Sequence, residues 1–379
     1  MAGRESMNTS RAAVGLLVWC IATLSGLALN VWFFWGAMSH TKNPARMEGA
    51  MAMGCAFAFA PLFAYMFVPI LLDRFDPEPW WCLLLAFVWG ATFATGVSAW
   101  VNTAVDAIAS AVFDRDVGKV VASSVSAPII EELTKGLMIL GLFVFVRREF
   151  DGVMDGIIYA IFCALGFAAV ENILYYGKSA AMGTQVLAST FVLRGVLTPW
   201  IHPLFTSMTG IGVGLAREAS GRAVRVLGPL AGYGMSVALH AAWNTLPLAT
   251  RGHRDLFAAW LGLWLLFVAA FLGLIVPLVI RKGRIIRKYL QDEVLFGSLS
   301  PQDVDLVCSP VGRIRSALSG RGALGKRLIQ VAARLALCKW HAARANKGRR
   351  RTVSVEVIAP LRQELLAVRS VMSARDVRT

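Results

Sequence analysis

An all-α fold, a polytopic bundle of about eight transmembrane helices with a small helical tail, is predicted by three observations. The 379 residues are 57% hydrophobic and only 16% charged, with mean hydropathy +0.61, which is too apolar and too poor in charge for a soluble domain of this length. Eight apolar stretches are each long enough to cross a bilayer. The net charge of +15 is concentrated after residue 280, where 21 Lys+Arg stand against 7 Asp+Glu. The division that follows is a transmembrane domain over 1–280 and a basic helical tail over 281–379.

The predicted spans are 13–38, 49–72, 80–101, 120–146, 153–175, 186–215, 227–248 and 256–280. The first follows Arg4 and Arg11, as in a secretory signal. Its apolar run is about twice a normal signal core and no A-x-A site follows, so it reads as a retained helix. The loop Asp73-Arg74-Phe75-Asp76-Pro77-Glu78-Pro79-Trp80 is acidic, stiffened by proline, and followed by Trp80 and Trp81 at the depth of an aromatic belt. Residues 101–119, with Val105, Ile108, Ala109 and Val112 at helical spacing, are expected to lie along the outer interface. Gly210 and Gly214 form a G-x-x-x-G pair around Gly212, which signals close helix packing and no chemistry.

Six scattered cysteines contain no C-x-x-C pair, which excludes a disulfide framework and a thiolate zinc site and makes them small core residues. In the tail, Leu328, Val331, Leu335 and Cys338, then Leu361, Leu365 and Val368, recur at helical spacing. Its basic faces suit anionic lipid headgroups, or simply solvent; no motif supports nucleic-acid binding. Arg281, Lys282, Arg284, Arg287 and Lys288 follow the last span directly, so the positive-inside rule puts the C-terminus in the cytoplasm. Eight spans then put the N-terminus there too.

The central spans break the apolar pattern. Glu131, Glu132, Lys135, Glu171 and Arg194 are ionisable at membrane depth, and at roughly 2.5–3.5 kcal/mol each on insertion scales they represent a gross cost of about 12–17 kcal/mol. Such groups are retained where they are used. Glu131 and Lys135 are four residues apart and share a helix face, and Glu132 is three from the same lysine. Two carboxylates for one cation leave an excess negative charge, the arrangement of a general base beside a trapped water. A purely structural Glu–Lys pair is the competing reading. Glu171 needs a partner from another helix, Arg194 or a histidine. His202 is flanked by Pro199 and Pro203, which remove backbone donors and bend the helix toward a protein-lined cavity. His240 and Asn244 lie one turn apart and can donate toward one point, as an oxyanion site requires.

In these residues the chain resembles the PrsW family of membrane proteases, related to the CAAX prenyl proteases and bacteriocin-processing enzymes. The resemblance covers about 70–280 and rests on the 73–79 loop, Glu131-Glu132-x-x-Lys135, Asp155-Gly156, Gly166-Phe167 with Glu171-Asn172, His202, and His240-x-x-x-Asn244. The wider superfamily has histidine four residues after the phenylalanine, where this chain has Glu171, as in the PrsW branch. The resemblance implies a multi-pass protease of the bacterial inner membrane. It also implies a membrane-protein substrate, for which the family's best-known example is the first, extracytoplasmic cut in a single-pass anti-sigma factor.

The mechanism expected is peptide hydrolysis in which Glu131 or Glu132 activates water, Lys135 holds the pair's charge, His202 orients water or protonates the leaving amine, and His240 with Asn244 stabilises the oxyanion. No cofactor is demanded by the sequence. A variant places Zn²⁺ between glutamate and histidine, although no H-E-x-x-H occurs. Serine and cysteine hydrolase, P-loop and dinucleotide motifs are absent. Two other classes use the same buried groups: a proton-coupled transporter, against which the chain shows no internal repeat, and a non-catalytic membrane scaffold binding partners through its tail.

Overall fold

The computed structural model describes residues 2–39, 44–72, 77–219, 221–249, 253–309, 322–347 and 354–376. Asp73, Arg74, Phe75 and Asp76, most of the acidic loop singled out above, lie outside them. Helices and no strands occur among the described residues, because chain in hydrocarbon must satisfy every backbone N–H and C=O within its own segment. By its internal contacts the chain falls into two units, one of residues 1–69 and 78–268, the other of 70–77 and 269–379.

The first unit comprises α1 (Ala2–Ser39), α2 (Pro44–Phe59), α3 (Leu62–Leu72), α4 (Trp80–Trp89), α5 (Thr95–Val112), α6 (Arg115–Val121), α7 (Ala127–Phe145), α8 (Val153–Met182), α9 (Thr184–Phe191), α10 (Ile201–Glu218), α11 (Arg222–Ala249) and the start of α12 (Arg254–Tyr289). All eight predicted spans fall on helices. Five helical segments among the described residues are long and apolar enough to cross a membrane: Ala13–Ser39, Ala45–Ile70, Trp80–Val112, Val153–Met182 and Asp255–Leu295. The remaining three predicted spans are α7, α9 with α10, and α11, which carry the polar residues of the candidate site. Contrary to the expected break at 101, the third span continues without interruption to Val112, and Asp114 then caps α6 by accepting from the amides of Asp116 and Val117.

The outer segments present most of their surface outward, whereas 94% of the apolar window of α8 is buried, so α8 is the axis of the unit. It packs against α2, α4 and α10, and α10 packs in turn on α11. The contacts are backbone to backbone: a Cβ on Gly156 would lie 2.2 Å from the Gly210 carbonyl oxygen, and one on Gly212 would lie 2.2 Å from that of Gly228. The glycine stripe is therefore a packing device, as its spacing implied. Gly156→Ala is expected to lose about 1–3 kcal/mol of stability through overpacking that separates α8 from α10. Gly234→Ala, where an added Cβ would meet no neighbouring element within 4 Å, is the control in the same unfolding measurement and should lose nothing, gaining up to about 1 kcal/mol from helix propensity.

Three π-turns interrupt the helices among the described residues: Gly90–Ala94, Ala122–Ser126 and Val192–Leu197. A π-turn misaligns carbonyls that lipid cannot satisfy, and side chains take them up. Thr95 donates to Gly90 at 2.6 Å and Asn30 of α1 to Thr92 at 2.9 Å. Asn244 donates to Ser123 at 2.8 Å, Thr198 to Leu193 at 2.7 Å, and the Tyr65 hydroxyl to Gly195. No disulfide forms among the described cysteines; Cys82 and Cys163 are buried, but Cys55 is exposed, so only part of the set behaves as core.

The second unit continues α12 into α13 (Gln291–Leu295), α14 (Pro301–Cys308), α15 (Gly322–Lys347) and α16 (Ser354–Asp376). The two tail helices read from sequence are α15 and α16; they pack on each other through Leu328, Val331, Leu335, Leu361 and Leu365, all buried. Fully buried Glu293 accepts hydrogen bonds from Lys339 and Arg362 at 2.5 and 2.7 Å.

Candidate active site

The polar residues flagged in the central spans converge. Pro128 opens α7 in its first turn, where a missing N–H costs nothing, and the helix then buries Glu131, Glu132 and Lys135 on the side facing α10 and α11. The Lys135 ammonium is fully buried, 2.6 Å from Glu132 Oε1 and 4.0 Å from Glu131 Oε2, with its Nζ 4.3 Å above the centre of the Phe167 ring.

The two glutamates have opposite surroundings. Glu132 is fully buried and its oxygens are claimed by four donors: Lys135 and His240 Nδ1 (3.0 Å) on Oε1, Thr206 (2.8 Å) and Ser236 (2.7 Å) on Oε2. Among the described residues Glu131 has only the Asn102 amide, at 3.4 Å from Oε1, and its buried Oε2 accepts no hydrogen bond. Asn102 is in turn oriented by Ser126, which donates to its Oδ1 at 2.8 Å. One carboxylate is thus saturated, and the other is held with an open lone pair.

The expected partner of Glu171 is supplied twice over, by Arg194 in an ion pair and by His202 Nε2 at 3.0 Å. Arg194 is itself fixed by Asn172 at 2.7 Å and by stacking 3.8 Å over Tyr175. The proline pair does not leave a bent helix: the chain turns at Thr198-Pro199-Trp200 and restarts as α10 at Ile201, so Pro203 lies in the first helical turn. His202 is buried rather than open to a large cavity, with Lys135 Nζ 3.3 Å from its Nδ1 and the His240 ring 5.2 Å away. His240 accordingly contacts both glutamates, with Nε2 3.8 Å from Glu131 Oε2. Glu131, Glu132, Lys135, Glu171, His202 and His240 form one connected cluster. Asn244 does not join it: its amide donates to the Ser123 carbonyl of the π-turn before α7.

Sequence reading missed Thr206, Ser236 and Asn102. Two of them carried a usable signal, because Thr206 is four residues after His202 and Ser236 four before His240, on the same helix faces. Asn102 was lost because the third span was ended at 101.

The ring tautomers bear on what the cluster can hold. A carboxylate only accepts, so the His240 Nδ1 facing Glu132 carries the proton and Nε2 presents a lone pair; by the same rule His202 donates from Nε2 to Glu171 and its Nδ1 accepts from Lys135. Ligand atoms of Glu131, His202 and His240 all lie within 4.8 Å of one another. Two imidazoles and one carboxylate are a ligand set of catalytic zinc, and each imidazole is backed by an outer carboxylate, as metal-bound histidines usually are. The orphaned Glu131 Oε2 and the His240 Nε2 lone pair are open to a divalent ion, and His202 Nδ1 would complete the set once Lys135, which donates to it, turned toward Glu132 alone.

The chain is similar to known proteins over this region. A family model described as PrsW family intramembrane metalloprotease matches residues 78–274. Protease PrsW of Geobacillus kaustophilus is 29% identical over 209 residues, 55% of this chain and 83% of that protein. Protease PrsW of Clostridioides difficile is 29% identical over 158 residues, covering 39% and 63%. Protease PrsW of Shouchella clausii is 31% identical over 131 residues, covering 33% and 55%. No solved structure matches.

Proposed function

Because the chain belongs to the PrsW family of intramembrane proteases, we propose that it hydrolyses peptide bonds of membrane-protein substrates with water activated at Glu131. The observation that carries this choice of base is the unclaimed, buried Oε2 of Glu131 beside the saturated Glu132. A base must offer a lone pair to water, and of the two adjacent glutamates Glu131 holds one open.

The other residues take supporting parts. Glu132 positions the His240 ring and neutralises Lys135; Thr206 and Ser236 keep it from rotating toward the water. Glu171, clamped by Arg194, sets the His202 ring and takes its one N–H, so the proton-donor role first expected of His202 gives way to a ligand role through Nδ1. Neutral His240 cannot donate from Nε2 while Nδ1 serves Glu132, and the Asn244 amide is committed to Ser123. The oxyanion role first expected of this pair therefore gives way to a ligand role for His240 and a positioning role for Asn244, which holds the turn leading into α7. Glu131, His202 and His240 would hold the divalent ion. When bound, it supplies Lewis-acid polarisation of the scissile carbonyl and a lowered pKa for its water.

A single-pass anti-sigma factor is the substrate class that the family resemblance supports. The basic run after Ile280 supports a cytoplasmic C-terminus in a bacterial inner membrane, with the tail on anionic headgroups. Comparing membrane-protein fragments from cells with the intact chain and cells with Glu131→Gln should reveal a product made only by the former. Purified enzyme should lose cleavage on chelation and regain it with Zn²⁺; full activity in chelator would discard the metal reading and leave Glu131 as a metal-free base.

A further inference from the structure

In the second unit a cleft of about 250 Å³ opens between α12 and α15, lined by Ile285, Lys288, Tyr289, Trp340, Ala343 and Arg344. Its chemistry is unlike that of the protease cluster. One cation comes from each wall and each is set beside an aromatic ring: the Arg344 guanidinium is 4.8 Å over Trp340 and the Lys288 ammonium 5.9 Å from the centre of Tyr289. Ile285 and Ala343 supply an apolar floor. We propose that this cleft binds the phosphodiester headgroup of an anionic glycerophospholipid.

Depth, shape and rigidity favour that ligand. The apolar run of α12 ends at Ile280, and Ile285 to Tyr289 follow on the same helix, roughly 8–13 Å further along its axis at 1.5 Å per residue. A headgroup layer is about 5–7 Å deep on each side of the hydrocarbon, so the Ile285 end of the cleft borders that layer and the Tyr289 end lies on its water side, from which the long Lys288 and Arg344 side chains can reach back to a phosphate. Trp and Tyr are the residues favoured at that level, and paired cations with apolar backing suit a phosphodiester attached to acyl chains. The walls are held in advance of binding, since Lys339 of α15 donates to the Tyr289 carbonyl at 3.3 Å and reaches Asp292 and Glu293 at 2.8 and 2.5 Å. A preformed cleft loses little entropy on capture. The wider basic surface of the tail attracts a membrane diffusely, whereas this site discriminates.

The test uses the full-length protein in nanodiscs of neutral lipid doped with phosphatidylglycerol, with retained lipid counted by native mass spectrometry. Lys288→Ala with Arg344→Ala should lower retained phosphatidylglycerol about tenfold or more, while Arg284→Ala with Lys326→Ala, which removes the same charge elsewhere, should leave it nearly unchanged. Lys288 is exposed, so Lys288→Ala alone keeps the measurement interpretable should the double variant unfold. Equal losses in the two pairs would reduce the effect to diffuse attraction. Displacement of the bound lipid by millimolar inorganic phosphate alone would make the cleft a site for free phosphate and overturn the assignment to lipid.

Discussion

Replacing Glu131 by glutamine should reduce cleavage of a single-pass membrane substrate by about a thousandfold or more, within the range that general acid–base catalysis supplies, and leave the protein folded. The substitution keeps shape and removes only the basic oxygen. Glu131 makes one long hydrogen bond, from Asn102 at 3.4 Å, and its ammonium neighbour is 4.0 Å away and engaged by Glu132, so little stability is at stake. In the loaded enzyme the same change also removes an anionic ligand, which adds to the loss. The measurement is single-turnover cleavage in reconstituted vesicles beside a thermal unfolding curve. A Glu131→Gln enzyme that retains full rate would end the proposed assignment, and full rate in both Glu131→Gln and Glu132→Gln would end any glutamate mechanism.

Glu132→Leu should behave differently, losing activity and fold together. It strips four donors of their acceptor and leaves the fully buried Lys135 without its close anion. Breaking one partner out of a buried ion pair costs about 3–5 kcal/mol, much of it the penalty of the charge left behind. Combining Glu132→Leu with Lys135→Met should restore most of that stability, because the orphaned cation is gone, yet restore no cleavage, because His240 has lost the carboxylate that orients its ring. Recovery of activity in the double variant would show that the Glu132–His240 contact is dispensable. Separate outcomes for adjacent residues are the signature of one base and one scaffold.

How much of this was legible in the chain varies by residue. Burial of Glu131, Glu132, Lys135, Glu171 and His202 could be anticipated, because an ionisable group in a greasy helix has no cheap alternative to a protein-lined interior. The pairing of Glu171 was anticipated as a choice between Arg194 and a histidine, and the fold uses both. Asn244 was misjudged for a physical reason: its partner is a carbonyl exposed by a π-turn, and no sequence pattern distinguishes that turn from a regular helix. The continuous helix to Val112 was cut at 101 because the polarity of Asn102, which marks contact with Glu131, reads like the end of a span.

The amino-acid sequence by itself determined that the chain is helical, membrane-embedded and polar at its centre, since lipid forbids unpaired backbone and tolerates buried charge only where neighbours compensate it. It also carried the glycine stripe, which lets α8 and α10 touch. Only the tertiary structure decided which glutamate is free. Glu131 and Glu132 are adjacent and chemically identical, and the difference between them is made by Thr206 on α10, Ser236 on α11 and Asn102 on α5, side chains brought together by packing across distances in sequence that no local pattern records.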